Sequence, residues 1–303
     1  MQDPGAGLKD FLAAQRLPPK YAEIAVQWFL PLADTLADFR AAIGRPLVIG
    51  INGSQGSGKS TLAALLHLWF PARHGLSAID LSIDDFYLPR NRRRQLADEV
   101  HPLLITRGVP GTHDIPLMRH TLRALTAGRG PVAIPRFDKA IDDRVPKARW
   151  QQVEAPVDMV IVEGWCLGTP PQDEQDLQLP VNLLEANEDP DGRWRQYVNR
   201  QIHEHYQPMY QQVDAWVMLK APSFDSVFQW RLEQEKKLAE RVQQDNSPKR
   251  IMSPDEIARF IEHYQRLTSH TLRTLPENVH FLFELDAERN IRSAATPREL
   301  PSV

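Results

Sequence analysis

The chain has 303 residues, with 36 basic and 39 acidic side chains and a formal net charge of -3. Sequence-independent binding to nucleic acid needs a strong basic excess, so this balance argues against a nucleic-acid partner. No run of 18 apolar residues is present in the sequence, and neither a membrane-spanning helix nor a membrane partner is expected. The single cysteine, Cys166, excludes an internal disulfide framework and a cysteine-based zinc cluster.

The first twenty residues show neither the apolar core of a signal peptide nor the pattern of a transit peptide, so a cytoplasmic location is expected. A chain of this length can bury a sizeable core without disulfides. These features are typical of an enzyme or a binding protein of a reducing compartment. The sequence leaves the oligomeric state open.

An N-terminal helical extension is predicted over residues 1–44. Within a helical stretch at 8–43, apolar residues recur at three- and four-residue spacing between Tyr21 and Ile43. Pro31 interrupts this pattern and is expected to kink or divide the helix. The extension carries no recognisable functional motif.

Strands and helices alternate from residue 45 onward. Strands are predicted at 47–51, 78–83, 132–134, 157–162, 215–219 and 279–285, and helices at 59–69, 115–125, 193–210, 223–242 and 254–274. Asp114 is the expected N-cap of the second of these helices. The segments 89–114 and 164–192 are predicted to be irregular, and 291–303 to form a C-terminal tail. The alternation indicates right-handed βαβ units, and therefore one α/β domain over 45–290 with a mostly parallel sheet flanked by helices.

A glycine-rich segment after the first strand matches the phosphate-binding pattern G-x-x-x-x-G-K-[ST]. The expected nucleotide-binding residues are Gly53, Ser54, Gln55, Gly56, Ser57, Gly58, Lys59, Ser60 and Thr61. Glycines let backbone N–H groups converge on phosphate oxygens, and the following helix directs its positive end at the same anion. The strand–loop–helix setting favours a P-loop NTPase fold over a glycine-rich turn that merely links strand and helix.

Two side chains of this loop have defined chemistry. Lys59 is expected to reach the β- and γ-phosphates, and the Ser60 hydroxyl to ligate Mg²⁺. Glu163 ends the strand at 157–162, and ligands of such sheets bind beyond the carboxyl ends of the strands. It takes the place of an acid that holds Mg²⁺ directly or through water, with a helix-capping or turn glutamate as the alternative.

Two further acids, Asp84 and Asp85, follow the strand at 78–83. A kinase that phosphorylates an alcohol benefits from a carboxylate that accepts the hydroxyl proton. Adjacent residues at a strand end point in opposite directions, so one of the two acids can face the site while the other is structural. We expect Asp84 to be the base, the alternative being that both acids cap the following turn.

Several segments together resemble a known family. The phosphate loop, SIDDFYLPR, RGVPGTHD, PRFDK with a following DR, VEGWCLG and WRLEQEKKL resemble the plant-type D-glycerate 3-kinases and their bacterial and fungal relatives. These belong to the wider phosphoribulokinase, uridine kinase and pantothenate kinase group. The resemblance covers roughly residues 45–285. It implies an ATP- and Mg²⁺-dependent kinase that acts on a small molecule, converting D-glycerate to 3-phosphoglycerate.

The resemblance also implies roles for individual residues. Asp84 matches the proposed catalytic base of the wider group, and Glu163 matches its strand-ending acid. A mobile helical lid is implied, with Arg231 as the cation that closes on the transferring phosphoryl group. Lys236 and Lys237 are further lid cations, or simply part of a solvated helix face.

The acceptor site is predicted less directly. A carboxylate-bearing acceptor needs cations and a base near one hydroxyl. The candidates beside Asp84 are Tyr87, Arg107, His113, Lys139 and Arg144. The segment that carries Arg107 and His113 is equally compatible with a tight turn that feeds a helix N-cap. Lys139 and Arg144 are equally compatible with ordinary surface charges.

One departure from the family bears on this site. The segment between PRFDK and DR lacks the glycines that the glycerate kinases tend to have there. If it contacts the acceptor, a different acceptor is possible. A nucleoside, pantothenate or a sugar phosphate therefore stays open as the acceptor, and the aromatic ring of Tyr87 is compatible with stacking on a nucleobase. An ATP-binding regulatory module, in which the nucleotide acts as a switch, is the third alternative.

Overall fold

The structure is a computed structural model and describes residues 4–244 and 253–301. The helices are α1 (Pro4–Ala14), α2 (Lys20–Ile24), α3 (Leu30–Ile43), α4 (Lys59–Trp69), α5 (Arg90–Glu99), α6 (Ile115–Ala127), α7 (Leu183–Glu188), α8 (Arg193–Gln201), α9 (Gln207–Tyr210), α10 (Phe224–Gln244) and α11 (Pro254–Thr274). The strands are β1 (Leu47–Gly53), β2 (Ala78–Ser82), β3 (Gly130–Ile134), β4 (Phe137–Asp138), β5 (Asp143–Arg144), β6 (Gln151–Ala155), β7 (Met159–Gly164), β8 (Ala215–Lys220), β9 (Phe281–Leu285) and β10 (Ile291–Ala295).

A mixed sheet forms the centre of the molecule. Within the described residues it has six strands in the order β10-β9-β8-β1-β7-β2, and all neighbours are parallel except β10 and β9. The predicted mostly parallel sheet flanked by helices is confirmed. β1 lies between β7 and β8, so the carboxyl ends of three buried strands surround the loop that follows β1. Among the residues that the structure describes, no helix is both long and apolar enough to cross a membrane.

Side chains alternate between the two faces of the sheet, as the pleat requires. In β1, Leu47, Ile49 and Ile51 join the core beneath α3 and α4, whereas Val48 joins the core on the opposite face. The same alternation separates Ile161 from its neighbours in β7. Because both faces are covered, the central strands are apolar along their whole length.

The N-terminal extension is divided rather than one continuous helix. α1 and α2 are separated at 15–19, where Pro18 and Pro19 disfavour helix continuation. A π-helical turn over Ala25–Phe29 then precedes α3, and Pro31 lies in the first turn of α3. The backbone stays helical from Lys20 to Ile43, so the helix is divided at 15–19 and not at Pro31. Leu32, Leu36 and Phe39 of α3 are buried in the main core.

Two segments predicted as irregular contain helices. α5 lies in the predicted loop 89–114, and α7, capped by the side chain of Asn182, lies in the predicted loop 164–192. α5 has almost no apolar residues, so it gives no helical periodicity. Its anchor is Arg93, which is fully buried and donates to the backbone oxygens of Leu88, Ile105 and Asp142.

The predicted tail at 291–303 is wrong for its first residues. Ile291–Ala295 form β10, which pairs antiparallel with β9 and packs Ile291 against the core. The predicted strand at 132–134 is β3, which pairs with β6 outside the main sheet. β4 and β5 form a short hairpin whose turn, 139–142, lies beside the candidate site.

Candidate active site

The phosphate loop connects the buried end of β1 to the first turn of α4. Gly56 and Gly58 have φ values of 81° and 93°, in the left-handed region that favours glycine. A side chain at Gly56 would also clash, because its Cβ would lie 2.7 Å from the Cβ of Trp230. The loop is therefore held tightly between α4 and α10, with the positive end of α4 directed at the space that phosphate would occupy.

Lys59, Ser60 and Glu163 meet at this loop as predicted. The Ser60 hydroxyl donates to Oε1 of Glu163 at 2.9 Å, and Nζ of Lys59 lies 3.7 Å from Oε2. That second oxygen is buried and has no hydrogen-bond partner among the described residues. Hydroxyl and carboxylate oxygens are the hard donors that Mg²⁺ prefers, with phosphate and water completing its shell. The residues present therefore fit a magnesium ion.

Asp84 lies on the 3₁₀ turn that follows β2. Its carboxylate accepts from Nζ of Lys139 at 2.5 Å and from the hydroxyl of Tyr87 at 3.0 Å. Burial raises the pKa of Asp84, but the attraction of Lys139 and Lys59 outweighs burial and lowers it below its ordinary value. The carboxylate is thus ionised at neutral pH, whereas burial raises the pKa of Tyr87 and keeps its hydroxyl protonated.

Asp85 has a different set of contacts. It pairs with Arg136 at 2.6 Å and accepts from the backbone N–H of Phe137 at 3.2 Å. Burial raises the pKa of Asp85 despite the attraction of Arg136. Asp85 thus holds the start of the β4–β5 hairpin. Of the two adjacent acids, Asp84 therefore belongs to the candidate site, and Asp85 has a structural role.

The turn of this hairpin connects two arginines through Asp142. The carboxylate of Asp142 pairs with Arg93 at 2.9 Å and also with Arg107. Both guanidinium groups lie near the Phe137 ring, at 5.8 and 5.7 Å from its centroid. Asp142 itself has a φ of 55°, which few residues other than glycine adopt. The turn contains no glycine, so an aspartate, Asp142, adopts the left-handed conformation. Its carboxylate orients Arg107.

His113 is buried between Tyr87 and Tyr206. Its ring stacks on that of Tyr87 with centroids 4.4 Å apart, and its Nδ1 lies 2.6 Å from the Tyr206 hydroxyl. Nε2 has no hydrogen-bond partner among the described residues. Burial lowers the pKa of His113 to about 4, so the ring is neutral at physiological pH.

Arg144 does not present a free cation. Its guanidinium donates to Asp114 at 3.2 Å and to the carbonyl of Tyr87 at 2.8 Å. Asp114 also caps α6 by accepting from the N–H of Leu117, as predicted. These contacts fix the backbone on both sides of the Tyr87–His113 stack, so the geometry favours a scaffold role for Arg144.

Arg231 lies on α10, which packs against α11. It pairs with Glu235 one turn later at 2.9 Å, and its guanidinium lies 5.5 Å from the Phe260 ring centroid on α11. Lys236 is exposed. The side chain of Lys237 lies outside the described residues, as does the segment 245–252 between the two helices.

Sequence patterns missed three residues that shape the site: Arg93, Arg136 and Asp142. Arg93 lies in an arginine-rich segment, and only its burial distinguishes it from exposed Arg92 and Arg94. Cys166 is buried, and burial raises the pKa of its thiol, so this thiol is not a reactive one.

Known proteins resemble this chain over most of its length, although no family model matches it. The uncharacterized kinase mug58 of Schizosaccharomyces pombe is 34% identical over 251 residues, which are 78% of this chain and 85% of that protein. The chloroplastic D-glycerate 3-kinase of Arabidopsis thaliana is 32% identical over 81% of this chain. The chain belongs to the family of plant-type D-glycerate 3-kinases and their bacterial and fungal relatives.

The match spans only 54% of the Arabidopsis protein. A solved D-glycerate 3-kinase of Cryptococcus neoformans superposes with a TM-score of 0.67 at 24% identity, over 88% of this chain and 99% of that one, and shares its fold. As a member of the family, the chain is a kinase that uses ATP and phosphorylates an alcohol group of a small molecule.

Proposed function

We propose that the acceptor is D-glycerate and that the product is 3-phosphoglycerate. The observation that carries this proposal is the environment of Asp84, a half-buried ionised carboxylate beside the phosphate loop and in contact with the cation Lys139. A small hydroxy acid needs this combination, because its hydroxyl requires a proton acceptor and its carboxylate requires a positive partner.

Asp84 is the proposed catalytic base. In the structure it accepts hydrogen bonds from Lys139 and Tyr87. The proposal places the acceptor hydroxyl on the same carboxylate. Its lowered pKa makes it a modest base, so its main contribution is to orient the hydroxyl and to take the proton as the P–O bond forms.

Lys139 and Arg107 are the proposed partners of the acceptor carboxylate. Lys139 is the more exposed of the two and lies on the hairpin turn, while Arg107 is oriented by Asp142 on the same turn. Tyr87 and His113 form a stacked neutral wall beside them. His113 offers an unpaired ring nitrogen to the acceptor, whereas Arg144 supports this wall from behind through the Tyr87 carbonyl.

Ser60 and Glu163 are the proposed holders of Mg²⁺. The ion, when bound, neutralises charge on the β- and γ-phosphates. Lys59 adds a fixed positive charge at the same phosphates, and Arg231 approaches the transferring phosphoryl group from the lid. Exclusion of water by α10 and α11 would keep hydrolysis slow until an acceptor is bound.

The direct test is ADP release with Mg·ATP and one of four acceptors: D-glycerate, L-glycerate, uridine or pantothenate. We expect turnover with D-glycerate to exceed that with each of the others by at least about tenfold, because one missing or misplaced charged contact costs that much. Preference for uridine or pantothenate would overturn the proposed acceptor while leaving the kinase intact. ATP binding without any acceptor-dependent turnover would favour the regulatory alternative.

A further inference from the structure

A small internal cavity lies between α8, α11 and the segment 170–180. Its apolar wall includes Val198 of α8, Leu267 of α11 and Val109, which is two residues beyond Arg107. The space open to the centre of a water molecule is about 10 Å³. That is room for about one water. Neither a nucleotide nor an acceptor of the phosphoryl group fits a space of this size, so the cavity is distinct from the candidate active site.

Three polar atoms of the cavity wall lack a hydrogen-bond partner. They are Oε1 of Gln172, Nε1 of Trp194 and Nε2 of His263, and no group within residues 4–244 and 253–301 bonds to them. The three residues are 9%, 3% and 7% exposed. Buried polar atoms in native proteins are nearly always paired, either with another protein group or with ordered water. Three such atoms around one cavity therefore indicate a shared partner.

Other contacts hold these three side chains in place. Asn199 of α8 fixes the backbone of Gln172, since its Oδ1 accepts from the Gln172 N–H at 2.7 Å and its Nδ2 donates to the Gln172 carbonyl at 2.9 Å. The rings of Trp194 and His263 pack edge to face, with their centroids 5.9 Å apart. The partner must therefore fit the donors and acceptors as these contacts arrange them.

The cavity presents one donor and two acceptors. Nδ1 of His263 lies 3.1 Å from the carbonyl of Arg259, and a carbonyl oxygen only accepts. Nδ1 therefore carries the proton of the neutral ring, and Nε2 is an acceptor. Burial lowers the pKa of His263, which favours this neutral ring at physiological pH. The indole N–H of Trp194 only donates, and Oε1 of Gln172 only accepts.

The charges around the cavity argue against a bound ion. Arg195 and Arg266 both border it, and they would repel a metal cation. Each guanidinium already pairs with a buried carboxylate, Asp189 at 2.9 Å and Glu185 at 2.6 Å, so neither requires an anion. The two acceptor atoms would also repel an anion. A neutral molecule that donates two protons and accepts one is therefore required, and at this size that molecule is water.

We propose that this cavity binds one water molecule, which donates to Gln172 and His263 and accepts from Trp194. The water joins the segment 170–180 to α8 and α11. Tyr264, the next residue of α11 after His263, donates to the carbonyl of Arg107 at 3.3 Å. The water thus supports the helix that contacts the proposed acceptor site from behind. The inference itself rests on neither the nucleotide nor the acceptor.

A crystal structure of the full-length protein that resolves ordered solvent tests the site directly. We expect one density peak at about 2.7–3.2 Å from all three polar atoms. In solution, NMR should show a cross-relaxation peak between the indole N–H of Trp194 and a long-lived water, and Trp194→Phe identifies this peak by removing it. Trp165 is the internal control, because its indole N–H donates to the carbonyl of Gly108 at 3.2 Å and should give no such peak.

Removal of both acceptors is the second arm of the test. The double variant Gln172→Met, His263→Met leaves the water one partner, fewer than the two to four that buried waters have. We expect the water peak to disappear while the Trp194 indole signal stays at its folded position. Gln175→Met, at an exposed site of the same segment, should keep the water peak.

Three results would overturn the site. They are wild-type density without the water, a direct bond from the Trp194 indole to either acceptor atom, and a water peak that persists in the double variant. If the double variant does not fold, the wild-type density and the wild-type water peak decide the question. Loss of ATP binding or of acceptor turnover would count against the proposed function and leave this site unaffected.

Discussion

At the residue scale, adjacent Asp84 and Asp85 differ in what their carboxylates contact. Sequence spacing predicted that one would face the site and the other would be structural, and the contacts to Lys139 and to Arg136 agree with that division. The sequence could not show that the segment from Arg136 to Lys139, 51 to 55 residues further along the chain, supplies both cations. That information depends on long-range packing.

Replacement of Asp84 tests its proposed role as base. Asp84→Asn keeps the shape of the side chain but cannot accept the proton, so kcat should fall about a thousandfold while ATP still binds. Steady-state kinetics and ATP titration measure the two effects. Asp85→Asn is the matched control and should retain kcat within about tenfold, because Asp85 contacts the hairpin and not the acceptor. Equal losses in both variants would contradict the assignment.

Asp142 offers a second residue-scale prediction. Asn adopts the left-handed conformation readily, so Asp142→Asn should keep the turn but lose the charge that orients Arg107. We expect KM for the acceptor to rise about tenfold, with kcat and KM for ATP nearly unchanged. Asp143→Asn, at the first residue of β5, is the matched control. Asp143 pairs with neither Arg93 nor Arg107, and asparagine keeps the Oδ1 that accepts from the backbone N–H of Arg90, so this variant should behave as wild type. A matching rise in KM for ATP would show that the variant perturbs the fold rather than the acceptor site.

At the element scale, α5 shows why a helix can escape detection. Its residues are mainly charged, and it docks through one buried arginine instead of an apolar face. Periodicity methods detect apolar stripes, so a helix held by Arg93 and three backbone oxygens resembles a polar loop. In contrast, the strongly periodic helices and the central strands were predicted to within a few residues.

The anchoring of α5 is testable by unfolding. Arg93→Met removes the buried partner of Asp142 and leaves several carbonyls unpaired, so the free energy of unfolding should fall by about 3–5 kcal/mol. Arg94→Met, one position along on the exposed face, should change it by less than about 0.5 kcal/mol. Urea titration of both variants measures the difference. Similar stabilities would mean that the packing of α5 does not depend on Arg93.

At the scale of the whole molecule, buried histidines link stability to pH. The pKa of His113 is about 4 in the folded protein, below its ordinary value of 6.5. Between these values the unfolded chain binds a proton that the folded protein does not, so stability is complete above pH 6.5 and declines as pH falls toward 4. A difference of this size corresponds to about 3 kcal/mol.

Replacement of His113 isolates this contribution. His113→Gln should lower stability at neutral pH but reduce the loss between pH 6.5 and 4 by about 3 kcal/mol. Urea unfolding at several pH values measures both curves. Burial also lowers the pKa of His263, His270 and His280, and these remain in both proteins, so only the difference between the curves reports on His113. Parallel curves would contradict the burial of a neutral ring.

The sequence by itself determined the phosphate loop, the acids at the strand ends and the order of strands and helices. These follow from local rules: glycine conformation, strand and helix periodicity, and the shared edge of parallel strands. The tertiary structure alone decided that Arg144 supports the Tyr87–His113 wall, that Asp142 orients Arg107 and that the N-terminal extension lines the cleft beside the phosphate loop. Each of these joins residues distant in the chain, and a local pattern carries no information about which distant groups a folded backbone brings together.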